Sequence, residues 1–297
     1  MKYEFMKTYE ATYSIERMSK VFKICRSGYY KFKKSGLSNR EKENIRLLGR
    51  IKRVHEESRQ TYGSPRIWAE LKAQGESCSR KRIAKIMQKV GLAAKMKKRF
   101  KITTKTNDRN KIAPNLLAQN FKADCPDQRW VADITYINTL EGFLYLAAIL
   151  DLFSRKIVGL AMSERINSSL VSNALKQAVI HRAPEDGLVY HSDKGCQYTS
   201  SDFQKQLKIY GMTPSMSGTG NCYDNSPMES FFHTLKTEHV YFENYATREQ
   251  AKISIFEYIE AFYNRKRRHS TLGYLSPTDF EKKWQAEQHQ NISLLSV

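Results

Sequence analysis

The sequence predicts an α/β protein, a mixed five-stranded sheet flanked by helices and preceded by a helical region of different character. Three observations lead there. Charge is segregated: residues 1–122 carry 32 Lys and Arg against 10 Asp and Glu, the rest carry 18 against 20, and the formal net charge is +20. From Trp130 onward the chain changes to short runs of β-branched, aromatic and apolar residues bounded by turn residues, the composition of strands. Those runs and the amphipathic stretches between them follow the order βββαβαβα, which calls for a mixed sheet covered by helices.

Taken in order, residues 1–44 form a helical N-terminal segment, 45–106 a helix-turn-helix domain, 107–125 a linker, 126–285 the core and 286–297 a tail. In the first segment, Arg17–Ile24 and Tyr29–Lys34 read as short helices about a break at Cys25–Gly28. They could form a helix-turn-helix, or two helices that pack on the next domain. The pair in 45–106 is better marked. Ser64 and Pro65 suit an N-cap and first helical position, Ile67, Trp68 and Leu71 share a side, and the helix stops near Gly75. Ser79 can cap a second helix, Arg80–Val90, with Ile83, Ile86, Met87 and Val90 as its apolar face. Arg80, Lys81, Arg82 and Lys85 gather toward its N-terminus, where a recognition helix meets DNA. A charged solvent face is the alternative; the dominance of basic charge favours DNA. Lys97, Lys98 and Arg99 then open a basic stretch that could track phosphates or merely connect domains.

In the core, Trp130–Asn138, Phe143–Leu150 and Ile157–Met162 are strands joined by short turns, hence antiparallel. Ser168–His181 reads as a helix, Leu188–His191 as a strand, Ser201–Tyr210 as a helix and Met212–Met216 as a fifth strand. A helix starts at Pro227, and Thr247–Asn264 is a further amphipathic helix. No run approaches eighteen apolar residues, so no membrane span is expected. The opening residues lack a secretory segment, which suggests a cytoplasmic, nucleoid-associated protein. The five cysteines are scattered without zinc-ligand spacing, so no zinc is expected.

Three carboxylates stand out. Asp133 interrupts a strand otherwise apolar and β-branched, where Asp is disfavoured. Asp193 follows the strand Leu188–Ser192, and ligands in open α/β sheets gather beyond strand ends; a turn Asp ahead of Gly195 is the plain alternative. Glu229 suits a capping box with Ser226, yet it also shares a helix face with His233 and Lys236 at i, i+4 and i+7.

Thirty-five residues separate Asp193 from Glu229. With Asp133 on the first strand, this resembles the D,D-35-E pattern of retroviral-type integrases and insertion-sequence transposases. Three stretches carry the resemblance further: Trp130–Tyr136, His191–Tyr198 and Asn221–Phe232. Lys236 and the C-terminal set Tyr263, Asn264, Arg268, His269, Leu272, Ser276 and Pro277 match as well. The chain is most similar to the downstream-frame product of bacterial insertion sequences with two overlapping frames. It lacks the N-terminal His-His-Cys-Cys zinc module of retroviral integrases.

The resemblance implies a ribonuclease H-like core in which Asp133, Asp193 and Glu229 are catalytic and hold two Mg2+, with Mn2+ as substitute. It implies cleavage of the ends of a mobile element and their joining by phosphoryl transfer. The partners implied are double-stranded DNA (terminal repeats and target), at least one further copy of the chain, and an upstream-frame segment as fusion or partner. Lys236 and Lys194 would hold phosphates. Arg267 and Arg268 would contact DNA, though basic residues also suit helix C-termini. His191 could orient Asp193 or be a satisfied core histidine, and Tyr223 and Asn225 could line the site or form an ordinary turn. Asp151 reads as a turn residue. Without metal, three close carboxylates repel, so at least one should titrate high.

Overall fold

The computed structural model describes residues 2–35, 38–96, 113–218 and 222–295. They form two compact units, Met1–Ala93 and Ala94–Val297. Lys97, Lys98 and Arg99 lie outside the described residues.

The first unit is helical where described: α1 (Lys2–Thr8), α2 (Ile15–Phe22), α3 (Arg26–Ser35), α4 (Asn39–Glu57), α5 (Ser64–Ala73) and α6 (Arg80–Lys89). α1 and α4 exceed the sequence expectation. α4 opens on a capping box, Ser38 with Glu41, and buries the stripe Leu47, Ile51, Val54 and His55. That stripe is narrow, is flanked by basic residues and contains Gly49, a poor helix former, which conceals the helix in the sequence. Glu76, between α5 and α6, is nearly enclosed. Both its oxygens meet the Arg46 guanidinium at 2.7 Å, and Arg50 joins them. These charges hold its carboxyl at about 2 and tie the α5–α6 connection to α4. α5 begins at Ser64 with Gly63 as its N-cap, one residue before the expected cap. Ser79 caps α6 as expected, accepting from the Arg82 amide.

The second unit holds the sheet: β1 (Arg129–Thr139), β2 (Gly142–Asp151), β3 (Ile157–Ser163), β4 (Val189–Ser192) and β5 (Thr213–Met216), in the order β3-β2-β1-β4-β5. β1, β2 and β3 pair antiparallel; β4 runs parallel to β1, and β5 parallel to β4. This is the mixed five-stranded sheet expected. α7 (Ser168–Arg182) lays Leu170, Ala174, Leu175 and Ala178 over Trp130, Ala132, Ala147, Ile149 and Val158. It lies so close to β3 that a Cβ at Gly159 would collide with the Ala174 carbonyl and the Ala178 methyl. α8 (Cys196–Thr199) and α9 (Ser201–Ile209) follow β4. α10 (Ser226–Glu238) packs on β1, and α11 (Arg248–Glu257) on β1 and β2.

α11 continues through a π-helical turn, Tyr258–Tyr263, that delivers Asn264. The Asn264 carboxamide accepts from the Ile157 amide at 2.9 Å and donates to its carbonyl at 3.0 Å, so a side chain serves as strand partner at the start of β3. α12 runs Pro277–Leu295, where a tail was expected from 286. The expected linker also behaves otherwise where it is described. Leu117 is buried, the Leu116 amide donates to Ser215 Oγ at 2.9 Å and the Met216 amide to the Pro114 carbonyl at 3.2 Å, so this strap lies against β5. Among the described residues no helix is long and apolar enough to cross a membrane.

Candidate active site

Strand pairing sets the segments that carry the two aspartates side by side. The last β1–β4 partner pair is Val131 with His191. Side chains alternate along a strand with a period of two, so Asp133 shares the face of Val131, and Asp193 stands two residues past His191, just beyond the end of β4. β4 ends at Ser192 while β1 runs on to Thr139. The strands therefore part where the carboxylates stand, the kind of crevice in which α/β sheets bind ligands.

The third carboxylate arrives on α10. Its N-cap is Asn225 and no side chain caps it, so the capping box expected of Ser226 and Glu229 does not form. Glu229 sits in the first turn, exposed, while Met228, Phe231, Phe232 and Leu235 are buried. Asn225 is nearly buried and donates its Nδ2 to the Ala132 carbonyl at 3.0 Å. That bond joins the start of the Glu229 helix to the strand of Asp133, one residue past the last β1–β4 pair.

The Asp133 carboxyl feels the charges of both other carboxylates. Burial pushes the Asp133 carboxyl up to about 8; the Asp193 charge adds to the rise, the Ile134 amide (2.7 Å) opposes it, Glu229 raises it further and Lys236 lowers it. Burial also raises Asp193, against the pull of the Gly195 amide at 3.0 Å. Desolvation raises Glu229. The Lys236 ammonium, shifted down by burial and favoured by Asp133, stands 4.9 Å from the centre of the Tyr136 ring. Lys194 is half-buried next in sequence to Asp193.

The donor set is all oxygen, exposed at Glu229 and with Asp133 raised by the charges of the other two, which suits a hard dication. Among the described residues, no three His, Cys, Asp or Glu side chains already form a ligand cluster.

The other expected residues divide. His191 is fully buried, with Nδ1 at 2.8 Å from Ser215 Oγ and Nε2 at 3.1 Å from Ser217 Oγ. Burial lowers it to about 4. It is a satisfied, neutral core histidine and leaves Asp193 alone. Asp151 is a turn residue, accepting from the Asp127 and Ser154 amides and the Ser154 hydroxyl. Tyr223 is exposed. Arg267 corrects the expectation of a DNA contact: it is buried, and its guanidinium grips Glu238 at 2.6 and 2.7 Å. Arg268 is half-buried and donates to the Tyr274 carbonyl at 2.7 Å. On α6, Arg80, Lys81 and Lys85 are exposed, while Arg82 is partly buried and donates to Asn44 at 2.9 Å.

Sequence reasoning missed the Asp224 hub. This buried carboxylate accepts from Asn115, Gln119 and the Gly218 amide, and so moors the strap beside the approach to α10. Its position two residues before the Ser226-Pro227 helix start was the available signal, and turn aspartates are too common for that to single it out.

Comparison with known proteins gives the family. An HTH-like domain family matches residues 41–100, and integrase core domain families match 123–222 and 229–284. The insertion element IS600 uncharacterized 31 kDa protein of Shigella sonnei is 44% identical over 267 residues, covering 90% of this chain and 98% of that protein. Transposase InsF for insertion sequence IS3A of Escherichia coli (strain K12) is 40% identical over 285 residues, 95% of this chain and 99% of that one. Among solved structures, the HTLV-2 integrase catalytic core domain is similar at 15% identity with a TM-score of 0.42, covering 54% of this chain and 99% of that one. With its two integrase-core matches and near full-length similarity to InsF, the chain belongs to the insertion-sequence transposase family of IS3.

Proposed function

We propose that this chain is a transposase that cuts the ends of a mobile DNA element and joins them by phosphoryl transfer at Asp133, Asp193 and Glu229. The observation that supports this reading is the β1–β4 pairing, which ends at Val131 and His191, two residues short of each aspartate, together with the Asn225 bond to Ala132 that ties the start of the Glu229 helix to β1. Two divalent ions, Mg2+ or in substitution Mn2+, would supply a polarised attacking oxygen and a stabilised leaving oxygen in an in-line displacement.

The chain's own residues do the rest. Asp133 must give up the proton that burial favours before it can act as a ligand, so ion binding and proton release are coupled. Glu229 is solvent-facing and completes the site as DNA arrives, and DNA phosphates supply the remaining oxygens. Metal binding without DNA is accordingly weak. Lys236, with Lys194, steadies the phosphate beside the carboxylates. Exposed Arg80, Lys81 and Lys85 hold duplex DNA from α6. Because two ends are joined, the active species contains at least two copies, and an upstream-frame segment acts as fusion or partner. The site of action is the bacterial cytoplasm, at the nucleoid.

The test uses the gene with its native flanks, including any upstream frame, on a plasmid, with amplification across abutted outer ends. Glu229→Gln should abolish junctions, a loss of at least about a hundredfold, which is what removing one electrostatic stabiliser of a transition state commonly costs. Junctions at wild-type frequency in Glu229→Gln would refute the assignment.

A further inference from the structure

Residues 2–35 lie outside the stretches that match a DNA-binding or integrase domain, yet they form a three-helix cluster of their own. α2 and α3 are separated by Lys23, Ile24 and Cys25 alone. Lys23 takes the left-handed conformation, φ 51 and ψ 53. The Ile24 amide closes back on the Ser19 carbonyl at 3.1 Å, a tight stop that turns the chain directly into the next helix. Met18 and Tyr29 are buried with Met6, and Ile15, Phe22 and Ile24 pack against them; Ser19 is small and buried on α2. α1 braces the inner side of α3 so closely that a Cβ at Gly28 would strike the Tyr3 hydroxyl, and the Tyr3 ring stacks on Phe32 at 5.4 Å.

The outer side of α3 is different. Arg26, Ser27, Tyr30, Lys31 and Lys34 are exposed, and their i, i+1, i+4, i+5, i+8 spacing makes one stripe along the helix. α3 carries no acidic residue. The nearby acids lie to its sides. Glu10 takes Lys33 at 2.9 Å and also meets the Tyr29 hydroxyl, and Glu16 reaches Arg26 only at 4.0 Å with both side chains exposed. An ion pair that long and that wet contributes little and yields readily to a phosphate.

We infer that α2 and α3 form a second helix-turn-helix, in which α3 lies in the major groove of duplex DNA with Arg26, Ser27, Tyr30 and Lys31 at base edges and Lys34 at the backbone. A short helix, a three-residue turn with a left-handed residue, and a second helix whose inner side is fixed and outer side is polar and basic are what groove docking requires. The cationic, acid-free stripe selects a polyanion over a second copy of this basic chain. The inference rests on the reading of the chain as a transposase acting on DNA. It gives the protein two reading heads, α3 and α6, so its recognition sequence should have two blocks.

The experiment is a selection of the full chain, held in chelator so that no cleavage occurs, against duplexes with a long randomised segment. Wild type should enrich two separated blocks of preferred bases. Tyr30→Ala with Lys31→Ala should erase one block, spare the other, and weaken binding to the wild-type sequence about ten- to a hundredfold. Should that variant fail to fold by circular dichroism, Lys31→Glu with Lys34→Glu replaces it, since both side chains are exposed. Both blocks surviving in a folded variant would overturn the inference. So would enrichment of no sequence by wild type, or an equal loss on selected and scrambled duplexes, which marks backbone contact alone. The selection needs no chemistry, so junctions lost in Glu229→Gln alongside unchanged blocks would refute this inference alone, and the reverse pattern the catalytic assignment alone.

Discussion

Burial and the charge of Asp193 hold the Asp133 carboxyl near 8, far above its ordinary 3.8, so near neutrality the metal-free site keeps a proton that a free aspartate would have lost. The native state binds that proton more tightly than the unfolded chain does. Metal-free stability therefore declines as pH rises between about 4 and 8. Asp133→Asn should remove the decline and raise Tm at pH 8 by about 2–4 °C, the equivalent of about 1 kcal/mol for a chain of this size, with little gain at pH 4. A thermal melt series in chelator checks it, and an equal gain at both pH values would contradict the assigned titration. Asp133 was legible in the sequence because an acid inside a β-branched run is unusual, whereas Asp193, a turn acid ahead of a glycine, stood out only through its interval to Glu229. Asn225 was not, because its value lies in a bond to the Ala132 carbonyl 93 residues earlier, and no local pattern encodes that.

At the level of elements, the five strands were readable because their apolar runs end on turn residues, and α7 because its apolar stripe is wide. α1 and α4 were hidden by basic side chains that crowd a thin buried stripe. α12 was not read as a helix, and its later turns, Gln285–Gln290, are largely exposed and carry no apolar stripe. Its docking end is fixed elsewhere: Glu281 meets Ser154 at 2.9 Å, Lys156 at 2.9 Å and Arg182 at 3.0 Å, and Phe280 and Trp284 pack on Phe153. The run Arg265–Arg268 misled for a related reason, since it looks like a basic surface until Glu238 of α10 meets Arg267 in the interior. Truncating one member of a buried pair strands the other, at a cost of about 3–5 kcal/mol. Arg267→Ala should thus lower Tm by roughly 6 °C or more and leave the DNA affinity of the remaining folded protein unchanged. A fall in affinity at constant Tm would instead restore Arg267 as a DNA contact.

Over the whole molecule, the charge asymmetry sets how the protein holds DNA. With the basic excess confined to residues 1–122, affinity for duplex should fall with salt at about −0.9 per phosphate neutralised. A fragment ending at residue 122 should reproduce most of the full chain's slope in fluorescence anisotropy between about 50 and 200 mM salt; a fragment slope below half of that would place the main backbone contacts in the core. The catalytic half, by contrast, depends on geometry and not on charge. Because β1 pairs with β4 as far as Val131 and His191, two residues short of each aspartate, the parity of β4 decides how the chain enters Asp193. One residue inserted within Val189–Ser192 would turn Asp193 to the far side of the sheet while leaving every residue of the motif in the gene. A residue added between the end of β5 at Met216 and the start of α10 at Ser226 would leave that parity untouched. Parity within β4, and not the count of residues after β5, is then what an insertion would have to preserve.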